Sequence, residues 1–367
     1  MVELNIDESK VVELLRSGKI NGWWNNPQGG KYLQEFEKRF AEFVGTKYAI
    51  AVSGGTASIY VALRACGVGY GDYVALSPYT HIGSLAPIIM CGAIPVFVDV
   101  DEFGNIDPVE LDKVIKDFDL KAILAAHQIG YPCRLEDIGN EEIKVVEDCS
   151  QSLGAEYMGF QVGSLGDIGC FSVGGDMAKT ISTGEGGVIT SNSLILKDRC
   201  QNIRNHGDKA GANYPCFNFR LAEINALIGL LQMDTLRYNI GIQRDNAKHV
   251  IDNLPPHLSV EDPLPETNPA YYIIGCWFLE EEKGFTRDEF LEEIRESGLD
   301  LGEPRRNISG GYSKLLYDIP YYAQFKRKCP NAELLRDNVV WIDFHRPPIT
   351  IKDIDDKLLK TLNDMMH

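Results

Sequence analysis

The sequence predicts an α/β protein, with a large domain built on a mostly parallel sheet between helices and a smaller α+β domain after it. Three observations carry this expectation. From about residue 46 onward, short apolar runs alternate with segments of helical spacing. The runs are continuously apolar, as in strands covered on both faces. Past about residue 240 the texture changes to Pro-rich loops, one more apolar run and two amphipathic segments.

The runs of the large domain are 48–52 (YAIAV), 73–77 (YVALS), 95–99 (PVFVD), 121–126 (KAILAA), 143–147 (IKVVE), 169–173 (GCFSV) and 187–190 (GVIT). Gly, Pro or Asp bounds each of them. A helix is expected from Thr56, and one long helix over 221–240 that leaves the domain. The large domain is therefore expected over 1–240 and the small one over 241–367. The small domain is expected to hold the apolar run 270–278 and helices near 286–297 and 351–366.

A chain of 367 residues can bury two cores. Its 44% hydrophobic and 24% charged residues are ordinary for a globular protein. The net charge of −17 repels phosphate backbones, so nucleic acid is not an expected partner. No apolar h-region opens the chain and no run is long enough to cross a bilayer. Nine cysteines stand singly, with no CxxC pair, and read as reduced core residues of a cytoplasmic protein. No His, Cys and Asp set has metal-ligand spacing, so no metal is expected.

Ligands of such sheets bind beyond the carboxyl ends of the strands, and three loops there carry chemistry. Ser53-Gly54-Gly55-Thr56-Ala57 joins a strand to a helix. Its glycines allow close approach, and the helix start offers N–H groups and a favourable dipole to an anion. It matches neither a Walker loop nor a GxGxxG loop. Next, the run ending in Glu147-Asp148 is followed by Cys149-Ser150-Gln151. Read alone, Asp148 is a helix cap; buried, it would pair with a cationic ring nitrogen. Third, Phe171-Ser172 precedes Lys179, which stands among small residues before Gly184-Glu185-Gly186-Gly187. A loop lysine is usually solvated, but one partly desolvated beside a cationic cofactor can form a Schiff base. A phosphate cradle, a carboxylate for a pyridine nitrogen and a lysine are together the protein parts that pyridoxal 5′-phosphate (PLP) demands.

These motifs, with EFEKRFAEFVGTKYAIAVSGGTAS, VVEDCSQSLGAEYMG, GSLGDIGCFS, KTISTGEGGVIT, RNHG and NFRLAEINALIG, resemble the DegT/DnrJ/StrS sugar aminotransferases over about residues 12–240, and more loosely beyond. The resemblance implies the type I fold of PLP enzymes, with a seven-stranded sheet. It implies that Lys179 binds the cofactor and shuttles the proton, that Asp148 faces the pyridine nitrogen and that Gln151 reaches the phenolic oxygen. Gly55, Thr56, Ala57 and Ser172 would hold the phosphate, and His81 would stack on the ring. Asn218 would reach the phosphate of a neighbouring subunit, which implies a homodimer with shared active sites. His127, Arg204 and Glu185 read as scaffold or turn residues. The implied reaction moves an amino group from glutamate or glutamine to a keto-sugar, nucleotide-linked, or else to a keto-cyclitol.

Rival readings are weaker. The PLP-dependent sugar dehydrases of the family carry histidine where Lys179 stands. The complete Lys, Asp, Gln and Ser set argues against a non-catalytic regulator, and the missing GxGxxG loop against a nicotinamide enzyme. Two features depart from the family pattern. The spacing of seven positions (179 − 172) from Ser172 to Lys179 is long, with Gly174-Gly175-Asp176 inserted beside the lysine, and Asp176 reads as a turn residue. The Trp23-Trp24 pair, followed by Asn25-Asn26, reads as a packing anchor.

Overall fold

The computed structural model describes residues 7–21, 28–135, 142–175, 179–207, 216–279, 286–297, 308–309, 311–343 and 350–364. Trp23, Trp24, Asn25, Asn26 and Asp176 lie outside them. Helices α1 (Glu8–Ser17) and α2 (Lys31–Val44) precede strand β1 (Tyr48–Val52). Then follow α3 (Gly55–Ala65), β2 (Tyr73–Leu76), α4 (Ile82–Met90), β3 (Ile94–Phe97), α5 (Pro108–Asp117), β4 (Leu120–Ala126) and β5 (Lys144–Asp148). A short hairpin, β6 (Glu156–Tyr157) and β7 (Phe160–Gln161), leads to β8 (Ile168–Ser172) and β9 (Gly187–Ser191).

Seven of these strands form one sheet in the order β1-β9-β8-β5-β4-β2-β3. Only β9 runs against its neighbours. All seven apolar runs of the sequence become these strands, with ends shifted by two residues at most. Their unbroken apolarity has a direct cause. Ile50 and Val52 of β1 pack toward α3, while Ala49 and Ala51 pack with Phe36 and Phe40 of α2. Ala122 and Leu124 of β4 likewise face one core, and Ile123 and Ala125 the other, where Leu111 and Val114 of α5 lie. Each strand thus buries both faces.

Three helices follow: α6 (Leu194–Arg204), α7 (Glu223–Gln232) and α8 (Leu236–Asp252). The single helix expected over 221–240 is therefore two. At the break the amides of Met233 and Thr235 bond three residues back, to Leu230 and Gln232, a tightening that ends one helix before the next begins. The Gln232 side chain pairs with both backbone groups of Ser182, and its Nε2 also donates to the Ile228 carbonyl one turn back.

The remaining elements are β10 (Leu258–Ser259), β11 (Thr267–Asn268), β12 (Ile274–Phe278), α9 (Arg287–Glu296), β13 (Ile308–Ser309), α10 (Pro330–Asn338) and β14 (Val339–Ile342). A C-terminal helical segment starts at Ile351. Strands β10-β12-β14-β13 make a second, antiparallel sheet. Its core joins Ile274 and Val340 to Val250 of α8, Phe290 of α9 and Leu358. Along α8, Ile240 packs into the large-sheet core and Ala247 into the second. The domain boundary we propose near residue 240 falls inside this helix. No described helix is long and apolar enough to cross a membrane, and all nine cysteines are free thiols.

One turn at the junction of the two sheets has a pH signature. Asp101 is buried, and its Oδ1 accepts from the amides of Phe103 and Asn105, each at 3.0 Å. Burial, helped by the adjacent Glu102, pushes its carboxyl from 3.8 up to about 8. Between those values the folded chain keeps a proton that the unfolded chain has released, so this group's contribution to stability falls as pH rises through the window. Asp101→Asn keeps the oxygen acceptor and removes the titration. We expect the melting temperature of the wild type to lose more between about pH 5 and about pH 8 than that of the variant. Parallel profiles would contradict this.

Candidate active site

The carboxyl ends of β1, β4, β5 and β8 open onto a cavity of about 1110 Å³, walled on its far side by Tyr272, Tyr312 and Trp341. Asp148, the last residue of β5, lies in its floor, paired in register with Ala126 and Cys170. It is buried. Oδ2 accepts from the Ser84 hydroxyl at 2.6 Å, and Oδ1 from the Ser150 amide at 3.1 Å. Both donors are neutral, and none of the ion pairs among the described residues includes Asp148. A buried carboxylate left in that state is an attractive seat for a cation arriving in the cavity.

The neighbouring Glu147 points to the other face and braces the strand. Fully buried, it accepts from the amides of Gly163 (2.6 Å), Gly166 (2.7 Å) and Leu165 (2.9 Å), and meets His127 Nε2 at 3.0 Å. His127 Nδ1 accepts from the Cys133 amide, so the ring proton sits on Nε2, toward Glu147. The His127 amide in turn donates to the Asp148 carbonyl at 3.1 Å. His127, Glu147 and Cys149 are the one cluster of metal-ligand type among the described residues. The His and Glu atoms are already committed to hydrogen bonds, and burial pushes the Cys149 thiol well up, so the cluster works as a scaffold.

Lys179 reaches the same floor from the loop after β8. It is half-buried, its Nζ donates to the Ser150 carbonyl at 2.6 Å, and the ammonium lies 4.4 Å from the centre of the Tyr272 ring. Gly55, Thr56 and Ala57 form the first turn of α3, whose N–H groups border the cavity beside Ser172. A Cβ on Gly55 would stand 2.7 Å from the Ser172 Cβ, so only glycine lets the two loops meet. His81 caps α4, its Nδ1 accepting from the Gly83 amide at 3.0 Å, and its ring borders the cavity.

Gln151 is held from both ends. Oε1 accepts from the Ile129 amide at 2.8 Å, which fixes the amide so that Nε2 faces inward, where it donates to the Tyr312 hydroxyl at 3.1 Å. Its second Nε2 proton is available to a ligand. Asn218 is the outlier. It is exposed, its Oδ1 accepts from the Arg220 amide, and it does not line the cavity, although its neighbours Phe217 and Phe219 do. Sequence reasoning did not single out Ser84, Tyr272 or Tyr312. Ser84 had a signal, as the single polar side chain in the α4 sequence IGSLAPIIM. Tyr272 and Tyr312 reach the site only through the tertiary fold.

The family model for DegT/DnrJ/EryC1/StrS aminotransferases matches residues 5–356. The chain belongs to that family. The GDP-perosamine synthase of Escherichia coli O157:H7 is 34% identical over 314 residues, 83% of this chain and 82% of that one. The GDP-perosamine synthase of Vibrio cholerae is 35% identical over 238 residues, a match spanning 62% of this chain and 63% of that protein, under two thirds of its length. Among solved structures, the aminotransferase from Psychrobacter cryohalolentis superposes with a TM-score of 0.86 at 29% identity, covering 98% of this chain and 96% of that one. The DegT/DnrJ/EryC1/StrS aminotransferases are PLP-dependent. The chemistry of this cavity fits that cofactor, through the cation-seeking carboxylate, the inward lysine and the helix start that glycine keeps open.

The Gly55 contact gives a test. Gly55→Ala must displace either Ser172 or the first turn of α3, an overpacking strain of about 1–3 kcal/mol. PLP affinity, followed by absorbance titration, is expected to fall about tenfold. Unchanged affinity would remove the α3 start from the binding site.

Proposed function

We propose that the chain is a PLP-dependent aminotransferase that moves the amino group of glutamate or glutamine onto a nucleotide-linked ketodeoxysugar. The observation that carries the reading is the meeting of Lys179 and Asp148 around one cavity in a chain of this family. The similarity to GDP-perosamine synthases supports the nucleotide-linked acceptor over a free cyclitol. Lysine at position 179, rather than histidine, supports amino transfer over dehydration.

Bound in this cavity, PLP supplies an aldehyde carbon and a cationic ring that takes up electron density from the substrate carbon. Lys179 would hold the cofactor through its amine, and the same amine, when free, would act as the base that takes the donor's α-proton and gives it back. Asp148 keeps a proton on the ring nitrogen. Gln151 gives its remaining Nε2–H to the phenolic oxygen, and His81 covers one ring face. The first turn of α3, at Gly55, Thr56 and Ala57, takes the phosphate with Ser172.

The assembly we propose is a homodimer with shared sites. Met90 and Phe217 line the cavity yet stand 67% and 54% exposed, an apolar rim that a second copy would cover. Asn218, on that rim and turned away from its own cavity, is then placed to serve the partner's phosphate.

Two measurements test this. With glutamate and a GDP-linked keto-6-deoxysugar, the purified chain should form 2-oxoglutarate and an amino sugar, and Lys179→Ala should abolish both. Turnover by the variant, or none by the wild type with any nucleotide-linked ketosugar, would overturn the reading. Light scattering should give a mass of twice 40.9 kDa. A monomer that is fully active would overturn the shared site.

A further inference from the structure

We infer that Ser84, backed by Thr80, is a positioning residue that locks the Asp148 carboxylate with its remaining lone pairs turned to the cavity. The inference rests on the cofactor reading above and adds residues that reading did not include.

Helix α4 is apolar except at Ser84, which is only 3% exposed. A hydroxyl buried in such a helix needs a partner. The usual one is local, and Ser58 in α3 shows it, bonding the carbonyl of Gly55 three residues back. Ser84 instead spans 64 positions to Asp148 Oδ2 at 2.6 Å.

The direction of the chain of hydroxyls follows from proton counting. A carboxylate has no proton to give, so Ser84 donates to it. The Ser84 oxygen is then an acceptor, and Thr80 Oγ1, 3.3 Å away, must be its donor. Thr80 is itself buried, one residue before the helix cap at His81. Thus Thr80 gives to Ser84, and Ser84 gives to Asp148.

With the Ser150 amide on Oδ1, both carboxylate oxygens are pinned from the protein side. The side chain cannot rotate without losing a hydrogen bond to a charged group. The same three-residue span carries His81 at the cavity and Ser84 on the carboxylate, so one turn of helix would set the ring's face and its nitrogen partner together.

The test is the dissociation constant for PLP, read by absorbance on the full-length apo chain. Ser84→Ala should raise it about tenfold, as loss of a hydrogen bond to a charged group does. Thr80→Val should raise it less, and Thr80→Ser should stay near wild type. In an Asp148→Ala background, Ser84→Ala should add no further loss, because its target is gone. In turnover, Ser84→Ala should lower kcat while leaving KM for the amino donor unchanged.

Ser84→Ala binding PLP as tightly as wild type overturns the inference, as does a loss that multiplies with that of Asp148→Ala, the mark of a merely structural serine. Should Ser84→Ala not fold, equal constants for Thr80→Val and Thr80→Ser overturn it. Wild type without saturable PLP binding overturns the cofactor reading and this inference with it. Wild type that binds beside an unaffected Ser84→Ala overturns this inference alone.

Discussion

A carboxylate buried at the end of a central strand, with no cationic partner among the described residues, is the constraint around which this molecule is arranged. Among the described residues, Asp148 is satisfied by neutral donors alone, Ser84 and Ser150. Burying such a charge is costly, and the cost is offset when a cation enters the cavity. The parallel sheet makes the arrangement possible. It brings the ends of β4, β5 and β8 to one rim, so that a carboxylate, a lysine and a helix start from distant parts of the chain surround one volume.

The neighbouring structure works to hold that rim still. Glu147 collects three amides and one imidazole on the opposite face of β5, so the strand that ends in Asp148 is anchored just before it enters the cavity. Across the rim, Ile129 adopts a left-handed conformation (φ 46°, ψ 18°), unusual for a β-branched residue. Its amide is the donor that orients Gln151. Gly130 follows at φ 98°, where a Cβ would stand 2.6 Å from the Tyr272 amide, so the loop after β4 lies directly on the segment that carries Tyr272 under Lys179. Strain at this point is local conformational energy spent on orienting cavity groups.

The large sheet was legible in the sequence because its strands bury both faces and read as unbroken apolar runs. The loops beyond them were legible because glycine, a strand-end carboxylate and a lysine among small residues each have a chemical reason to be there. The walls were not legible. Tyr272 and Tyr312 are ordinary aromatic residues until the later part of the chain folds against the ends of the large sheet, and no local pattern announces that. The break between α7 and α8 was missed for a related reason, since the sequence of 221–240 keeps helical spacing across Met233–Thr235 and the interruption lies in backbone bonding alone. Asn218 marks the opposite limit: its motif was readable, yet within one chain it faces away from the cavity, so its proposed role needs a second copy.

The most direct test of the account is to locate the cofactor's attachment chemically. PLP-loaded protein would be reduced with borohydride, digested and mapped by mass spectrometry. The account requires the phosphopyridoxyl group on the peptide that contains Lys179. A label on any other lysine, or no retained label on a protein that binds PLP, would contradict it.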